Sequence, residues 1–401
     1  MLHAHIFLAV TIIASCGFAQ TNAQDQAPFV HPGLLHTAQD LRRMREKVAA
    51  GQEPWKSGFE KLQADRCSRA DWKLNGPVKT VTRSPLNAAG NGQMVMDGNA
   101  AYQNALMWCI TGDEAHAKKA VEILNAWSAT LLKMDGRDVQ LSAGLNGFKF
   151  VNAAELMRHA YPGWQPGEVA RCERLFKDVI CPPILNFALH ANGNWDAACI
   201  KTLMAIGVFC EDRALFDRAV RYFRSGKGNG RLVNYVFNDA GQCQESGRDQ
   251  QHTQLGLGLL AEACEVAWSQ GLDLYGEADS RLLKGFEYTA RYNLGDDRVP
   301  FVPHTDTTGK YRHKSISSDG RGTLRPIYEM VWNHYQNRRG IPAPYSRQAA
   351  DKCRPEGSAQ GSDHPGFGTL LFSLLPRPAA HSAGQPAARV GASAGEEGVR
   401  N

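Results

Sequence analysis

The sequence predicts an all-α protein, an (α/α) toroid or incomplete α/α barrel of antiparallel helical hairpins. Between the two ends of the chain, apolar residues recur mostly at helical spacing. Alternating runs of the kind that form half-buried strands are scarce. Many of the helical segments are joined by turns as short as Ile110-Thr111-Gly112-Asp113, and short connections make neighbouring helices antiparallel. An irregular helical bundle would satisfy the same periodicity.

The first element is not part of that body. Residues 1–19 hold an apolar stretch from Ile6 to Ala14, broken only by Thr11 and followed by small residues ending in Gly17-Phe18-Ala19. The run is too short to cross a bilayer and reads as a signal peptide, although its start carries His3 and His5 instead of Lys or Arg. Ile13-Ala14-Ser15-Cys16 also has the form of a lipobox, in which Cys16 would carry a lipid anchor; an ordinary cysteine in a discarded peptide is the other reading. The expected domain spans 28–345, and the Ala, Gly, Pro, Ser and Arg-rich segment 376–401 is expected to be disordered.

Within the domain, Thr37 can cap a helix over 39–50, and a second follows over 54–66. Residues 74–96, rich in Gly, Pro, Asn and Thr, read as a long loop of the sort that often forms a lid. Helices are then predicted at 98–111, 114–133, 150–160, 166–179, 182–190, 195–209, 212–224, 250–269, 276–292 and 326–337.

Composition narrows the function. A net charge of +5 suits an anionic ligand but lacks the dense basic stripe of a nucleic-acid binder. Cleavage after Ala19 would leave nine scattered cysteines and no CxxC pair, which argues against a zinc ribbon or a dense disulfide framework while leaving room for one or two bridges. Gly256-Leu257-Gly258 lies inside an apolar helix, outside any dinucleotide-binding context. The spacing of His304, His313 and His334 matches no common zinc pattern, and no acidic cluster demands calcium. No cofactor and no metal are expected, and the oligomeric state is open. The eight tryptophans supply core burial first, although an indole also stacks well on a sugar ring.

Two polar segments interrupt the helices. The first is His190-Ala191-Asn192-Gly193-Asn194-Trp195-Asp196, at a helix junction where the asparagines can simply be caps. The second, Gln244 to Gln254, is polar at every position but Gly247 and leads straight into an apolar helix. Burying so many polar groups without a ligand would be costly. Arg248 and His252 are four apart and share a helix face if the helix has begun there.

These segments, with the opening His31-Pro32-Gly33-Leu34-Leu35-His36-Thr37 and the late Arg321-Gly322-Thr323-Leu324-Arg325-Pro326-Ile327-Tyr328-Glu329, resemble the alginate lyase superfamily of α/α-toroid polysaccharide lyases in order and spacing over about residues 30–340. The resemblance implies β-elimination on a uronate-containing glycan, alginate or glucuronan-like. Such an enzyme must neutralise the sugar carboxylate before a base can remove the C5 proton. By that resemblance Asn194 (or Asn192) and His252 form the neutralising pair, Arg248 clamps the carboxylate or a neighbouring sugar, and Trp195, Gln251, His304 and Arg321 contribute to substrate binding. The chain departs from the family pattern at two places: Trp195 stands where a histidine is usual, and His252 where a tyrosine is usual. The base and acid must then come from elsewhere, and Tyr311 is the preferred candidate, with Tyr292 and His304 as rivals. Two other functions fit less well: a glycoside hydrolase using Asp196, Glu245 and Asp249, or a non-catalytic acidic-glycan-binding protein.

Overall fold

The computed structural model describes residues 27–358 and 363–376. Residues 1–19, expected to be a signal peptide, Cys16 and all but the first residue of the 376–401 segment lie outside them.

Four long helices form the inner wall: α3 (Asn91–Thr111), α5 (Val139–Ala160), α8 (Gly193–Phe209) and α11 (Gln250–Ser269), each packed on the next. Their sequences explain the position. They are apolar or small nearly all round, so they are stable only where every face is covered. In α8 every residue but Trp195 is buried. The outer helices carry one apolar stripe each: α1 (Ala38–Ala49) and α4 (Glu114–Thr130) cover α3, α9 (Arg213–Ser225) covers α8, and α12 (Glu277–Asn293) covers α11. Between them run α2 (Trp55–Gln63), α6 (Pro166–Arg174), which continues as a π-helical segment into the single turn α7 (Cys181–Ile184), and the short α10 (Leu232–Tyr235). The predicted helical toroid is therefore present, and the Thr37 cap is a full capping box with Asp40.

Several boundaries differ from the expectation. Helix α5 begins at Val139, eleven residues before the predicted 150, and its Gly144 and Gly147 are buried in close packing against Ala198 of α8 and against Ile180 just ahead of α7. The loop over 74–96 contains strand β1 (Thr80–Thr82), paired in parallel with β2 (Lys133–Asp135), and ends where α3 starts at Asn91. Its first part is fixed by Asp97, whose buried carboxylate accepts from Trp72 and Trp127 Nε1 and from the Asn75 and Gly76 amides. The predicted helix 182–190 is one turn only, since Phe187 takes positive φ. The predicted 326–337 is α13 (Tyr328–Trp332) running into π-helical turns.

The expected domain end at 345 falls inside α14 (Pro344–Cys353). The chain then returns to the core through α15 (Gly368–Leu371), with Phe367, Leu370 and Leu371 fully buried. Another late residue, His364, bonds the Glu262 carboxylate, which also pairs with Lys201 across α8 and α11 in the middle of the barrel. The nine cysteines of the described residues are all free thiols, and only Cys353 is not fully buried.

Candidate active site

The first turn of α8, the first turn of α11 and a hairpin from the 300s converge at one end of the barrel. The hairpin comprises β3 (His304–Thr305) and β4 (Arg312–His313), paired antiparallel. Its turn is held by Asp306, which accepts from the Tyr311 amide at 3.0 Å and from Asn229 Nδ2 at 2.7 Å. Gly247 lets it approach, since a Cβ there would lie 2.3 Å from His313 Cβ. Together these elements enclose a cavity of about 510 Å3 lined by Arg137, His190, Asn192, Trp195, Arg248, Lys310, Tyr311 and His313.

Asn192 occupies the N-cap position of α8 but its side chain does not cap it. Instead its Oδ1 accepts from Gln244 Nε2 at 3.0 Å, which leaves the amide NH2 as a donor for the cavity. The capping reading of this residue is thus replaced by one with a free donor. Asn194 has the opposite fate, and the expectation that it contacts substrate is corrected. It is fully buried, and its Nδ2 donates to both Glu245 oxygens at 2.8 and 2.9 Å. The cause is helical geometry: residues two apart point to different faces, so only one of the pair can look out.

Glu245 in turn accepts from Arg248 NH1 at 2.7 Å, and Arg248 NH2 lies 3.1 Å from His252 Nε2. The Nδ1 of that histidine meets Asp249 at 2.7 Å. The imidazole is thus held between the Asp249 carboxylate on one side and the Arg248 guanidinium on the other. His252 therefore reaches the cavity through Arg248, which it orients, and does not line it as expected. The Asp249 carboxyl is drawn below its usual range: burial works against ionisation, but the bonds and charge of His252, with Arg248, outweigh it.

The other predicted residues divide cleanly. Trp195 and Tyr311 line the cavity. Among the described residues the Tyr311 hydroxyl has no hydrogen-bond partner, only its backbone N–H and carbonyl being engaged by Asp306. Gln251 instead ties down the loop above α11, donating to the carbonyls of Gly320 and Thr323. Arg321 is occupied by Asp297 at 2.6 Å and lies 4.0 Å over the Tyr292 ring, which is itself buried. His304 stacks on Phe237 at 3.7 Å, outside the cavity lining. Tyr292 and His304 are thereby set aside as bases. His334 is buried against Tyr275, remote from the hairpin histidines in packing, so the three form no zinc triad.

Four polar lining groups are not among the site residues expected from the sequence: Arg137, His190, Lys310 and His313. His190 and Lys310 adjoin Asn192 and Tyr311 in the chain and were reachable by that signal; Arg137 follows β2 and carried none. His313, weighed in the sequence only as a zinc ligand, has a buried Nε2 without a partner. Burial first, and the Arg248 charge next, hold its imidazole below the usual range against the pull of Asp306.

The lining contains Arg137, Arg248 and Lys310 and not one carboxylate. Asp196 and Glu245, two of the carboxylates a hydrolase would need, are fully buried and saturated by internal donors, and Asp249 is engaged by His252. A cleft of that composition suits the handling of acidic chains, and the protein is a polysaccharide lyase. It belongs to the alginate lyase family, whose sequence profile matches residues 45–300, well over half of the chain.

Solved structures agree on the fold. Alginate lyase A1-III from Sphingomonas species A1 superposes with a TM-score of 0.64 at 16% identity, over 84% of this chain and 95% of that one. A variant of that enzyme complexed with tetrasaccharide gives 0.62 at 16% identity, over 84% and 94%. An alginate lyase from Bacteroides ovatus gives 0.60 at 15% identity, over 86% and 100%. No curated protein matches the chain in sequence.

Proposed function

We propose that this chain cleaves uronate-containing polysaccharide by β-elimination in the cavity bounded by Asn192, Arg248, Tyr311 and His313. The observation that carries the reading is a cavity with three cations, a free amide donor and a free phenol, and no carboxylate. In this scheme Arg248 and the Asn192 amide receive the sugar carboxylate and stabilise the charge that builds on it as the C5 proton leaves. Trp195 offers a ring face to the sugar beside them. Acting in its phenolate form, the Tyr311 oxygen takes the C5 proton, and the phenol so formed delivers that proton to the departing glycosidic oxygen.

A second assignment shares the site. The unpartnered His313 Nε2, held neutral by burial and Arg248, favours this imidazole as the base, with Tyr311 as the acid alone. The two differ in their mutants. If Tyr311 serves both steps, His313→Asn keeps most of the rate; if His313 is the base, both variants are inactive.

The deciding experiment follows ultraviolet absorbance of the unsaturated product, with reducing-sugar release in parallel, on alginate blocks, glucuronan and a neutral glycan. The expected result is absorbance from an acidic substrate only, and a loss of about 10³-fold or more in kcat for Tyr311→Phe. Cleavage of the neutral glycan without a double bond, or full activity in Tyr311→Phe, overturns the proposal. Binding without turnover identifies a glycan-binding protein instead. The apolar run near the N-terminus supports export, and no helix among the described residues is long and apolar enough to cross a membrane.

A further inference from the structure

The end of the barrel away from the cavity carries a second cluster of chemistry-bearing side chains. Helix α8 starts at the cavity and ends at Phe209, so its far end lies about 25 Å away at 1.5 Å rise per residue. There the N-terminal segment crosses the ends of α5 and α8. His31 Nδ1 lies 2.7 Å from Glu155 Oε1, and its Nε2 lies 2.6 Å from Glu211 Oε1. His159, four residues after Glu155 on the same face of α5, has its Nε2 3.8 Å from Glu155 Oε2. The His31 and His159 rings are stacked with centroids 4.5 Å apart.

Two features resist explanation as an ordinary ion-pair cluster. Glu155 is 1% exposed, yet its Oε2 has no hydrogen-bond partner. A buried carboxylate oxygen left unpaired is costly, and such groups are normally hydrogen-bonded or bound to a cation. The 3.8 Å gap to His159 is too long for a hydrogen bond. It is close to the separation of two ligands on one ion with bonds of about 2.0–2.2 Å. One ligand atom from each of His31, Glu155 and His159 can be chosen so that all lie within 4.8 Å of one another.

We propose that His31, Glu155 and His159 bind a divalent transition-metal ion of the zinc type, with Glu211 or water closing the fourth position. Two imidazoles and a carboxylate are a donor set that zinc accepts and that calcium and magnesium, which take oxygen ligands, do not. The ion would satisfy Glu155 Oε2 and join the N-terminal segment to a helix 124 residues further along the chain. It would act as a structural clamp remote from the chemistry.

The test uses purified full-length protein stripped with chelator and then titrated calorimetrically with zinc chloride, calcium chloride or magnesium chloride, with metal content measured after dialysis. The expected result is about one zinc per chain, a rise in Tm on zinc addition and no response to calcium or magnesium. His159→Ala and Glu155→Gln should bind zinc about tenfold or more weaker. His159 is partly exposed, so its variant should keep the wild-type circular dichroism spectrum, and that spectrum is the folding control. Failure of the stripped wild-type protein to bind zinc overturns the proposal. So does zinc binding of equal strength in both variants, which would place the ion elsewhere.

Discussion

Asn192 and Asn194 stand two positions apart in one short motif and do different work. The first presents a free amide to the cavity, and the second is sealed beneath it against Glu245. Asn192→Ala is therefore expected to lower kcat by about 10²–10³-fold with Tm nearly unchanged, as for the loss of one donor to a developing negative charge. Asn194→Ala removes donors from a buried carboxylate and should cost about 1–3 kcal/mol of stability, read from urea unfolding. Equal effects of the two on Tm would contradict the division of labour. A different residue sets part of the acid sensitivity. His36 is buried, with Nε2 2.6 Å from the Tyr102 hydroxyl. Burial, helped by Arg43 and Arg338 and opposed by Asp40, lowers its pKa to about 4. Because the folded pKa lies below the unfolded one, the stability it contributes is whole above about pH 6.5 and is lost as pH falls through 4. The total is about 3 kcal/mol, of which about 2 is gone by pH 5. His36→Gln should flatten that part of the stability profile, measured by urea unfolding at pH 7 and pH 5.

The hairpin β3–β4 matters at the scale of an element, because it brings Tyr311 and His313 to a wall built from Arg137, Asn192, Trp195 and Arg248, all far earlier in the chain. Its stability comes from polar anchors in place of a core of its own. Asp306 joins Asn229 to the Tyr311 backbone, and Ser246 accepts from the Ser317 amide at 3.0 Å just beyond β4. Asp306→Ala is expected to lower kcat strongly while global Tm changes little, with the hairpin amides exchanging faster with deuterium. Gly247→Ala should do the same by pressing a methyl on His313, and a wild-type rate in that variant would show that the hairpin need not sit so close. At this scale the sequence was informative about long helices and poor on their ends. Periodicity located α4, α9 and α11 within a few residues, because each starts at a capping side chain, Asp113, Asp212 and Asp249 respectively. It missed the first eleven residues of α5, where buried glycines serve close helix packing, a role that local propensity cannot register.

For the whole molecule, the toroid closes only when the last described residues return to it. Phe367, Leu370, Leu371 and Phe372 bury their side chains, each worth about 1.5–3 kcal/mol, in a protein whose total stability is about 5–15 kcal/mol. A chain ended after Tyr345 should therefore fail to give a cooperative thermal transition, although it holds every residue of the cavity. The cations of that cavity also act together. Arg137, Arg248 and Lys310 concentrate an acidic chain at the cleft, so KM for the polyanion should rise steeply between low and 0.5 M salt, a range over which charges about 10 Å apart become screened, while kcat changes less.

What the sequence by itself determined is the helical class, the antiparallel hairpins, the family and the two polar segments around Asn192 and Arg248. All of these are written in local periodicity, short turns and the order of motifs, which survive without knowledge of contacts. Only the tertiary structure decided which side chains face the cavity. It chose Asn192 over Asn194, kept Tyr311 and excluded Tyr292, occupied Gln251 and Arg321 elsewhere, and added Arg137 from the other side of the cavity. The physical reason is that exposure and charge pairing are set by what packs against each face, and in a toroid those partners come from segments far apart along the chain.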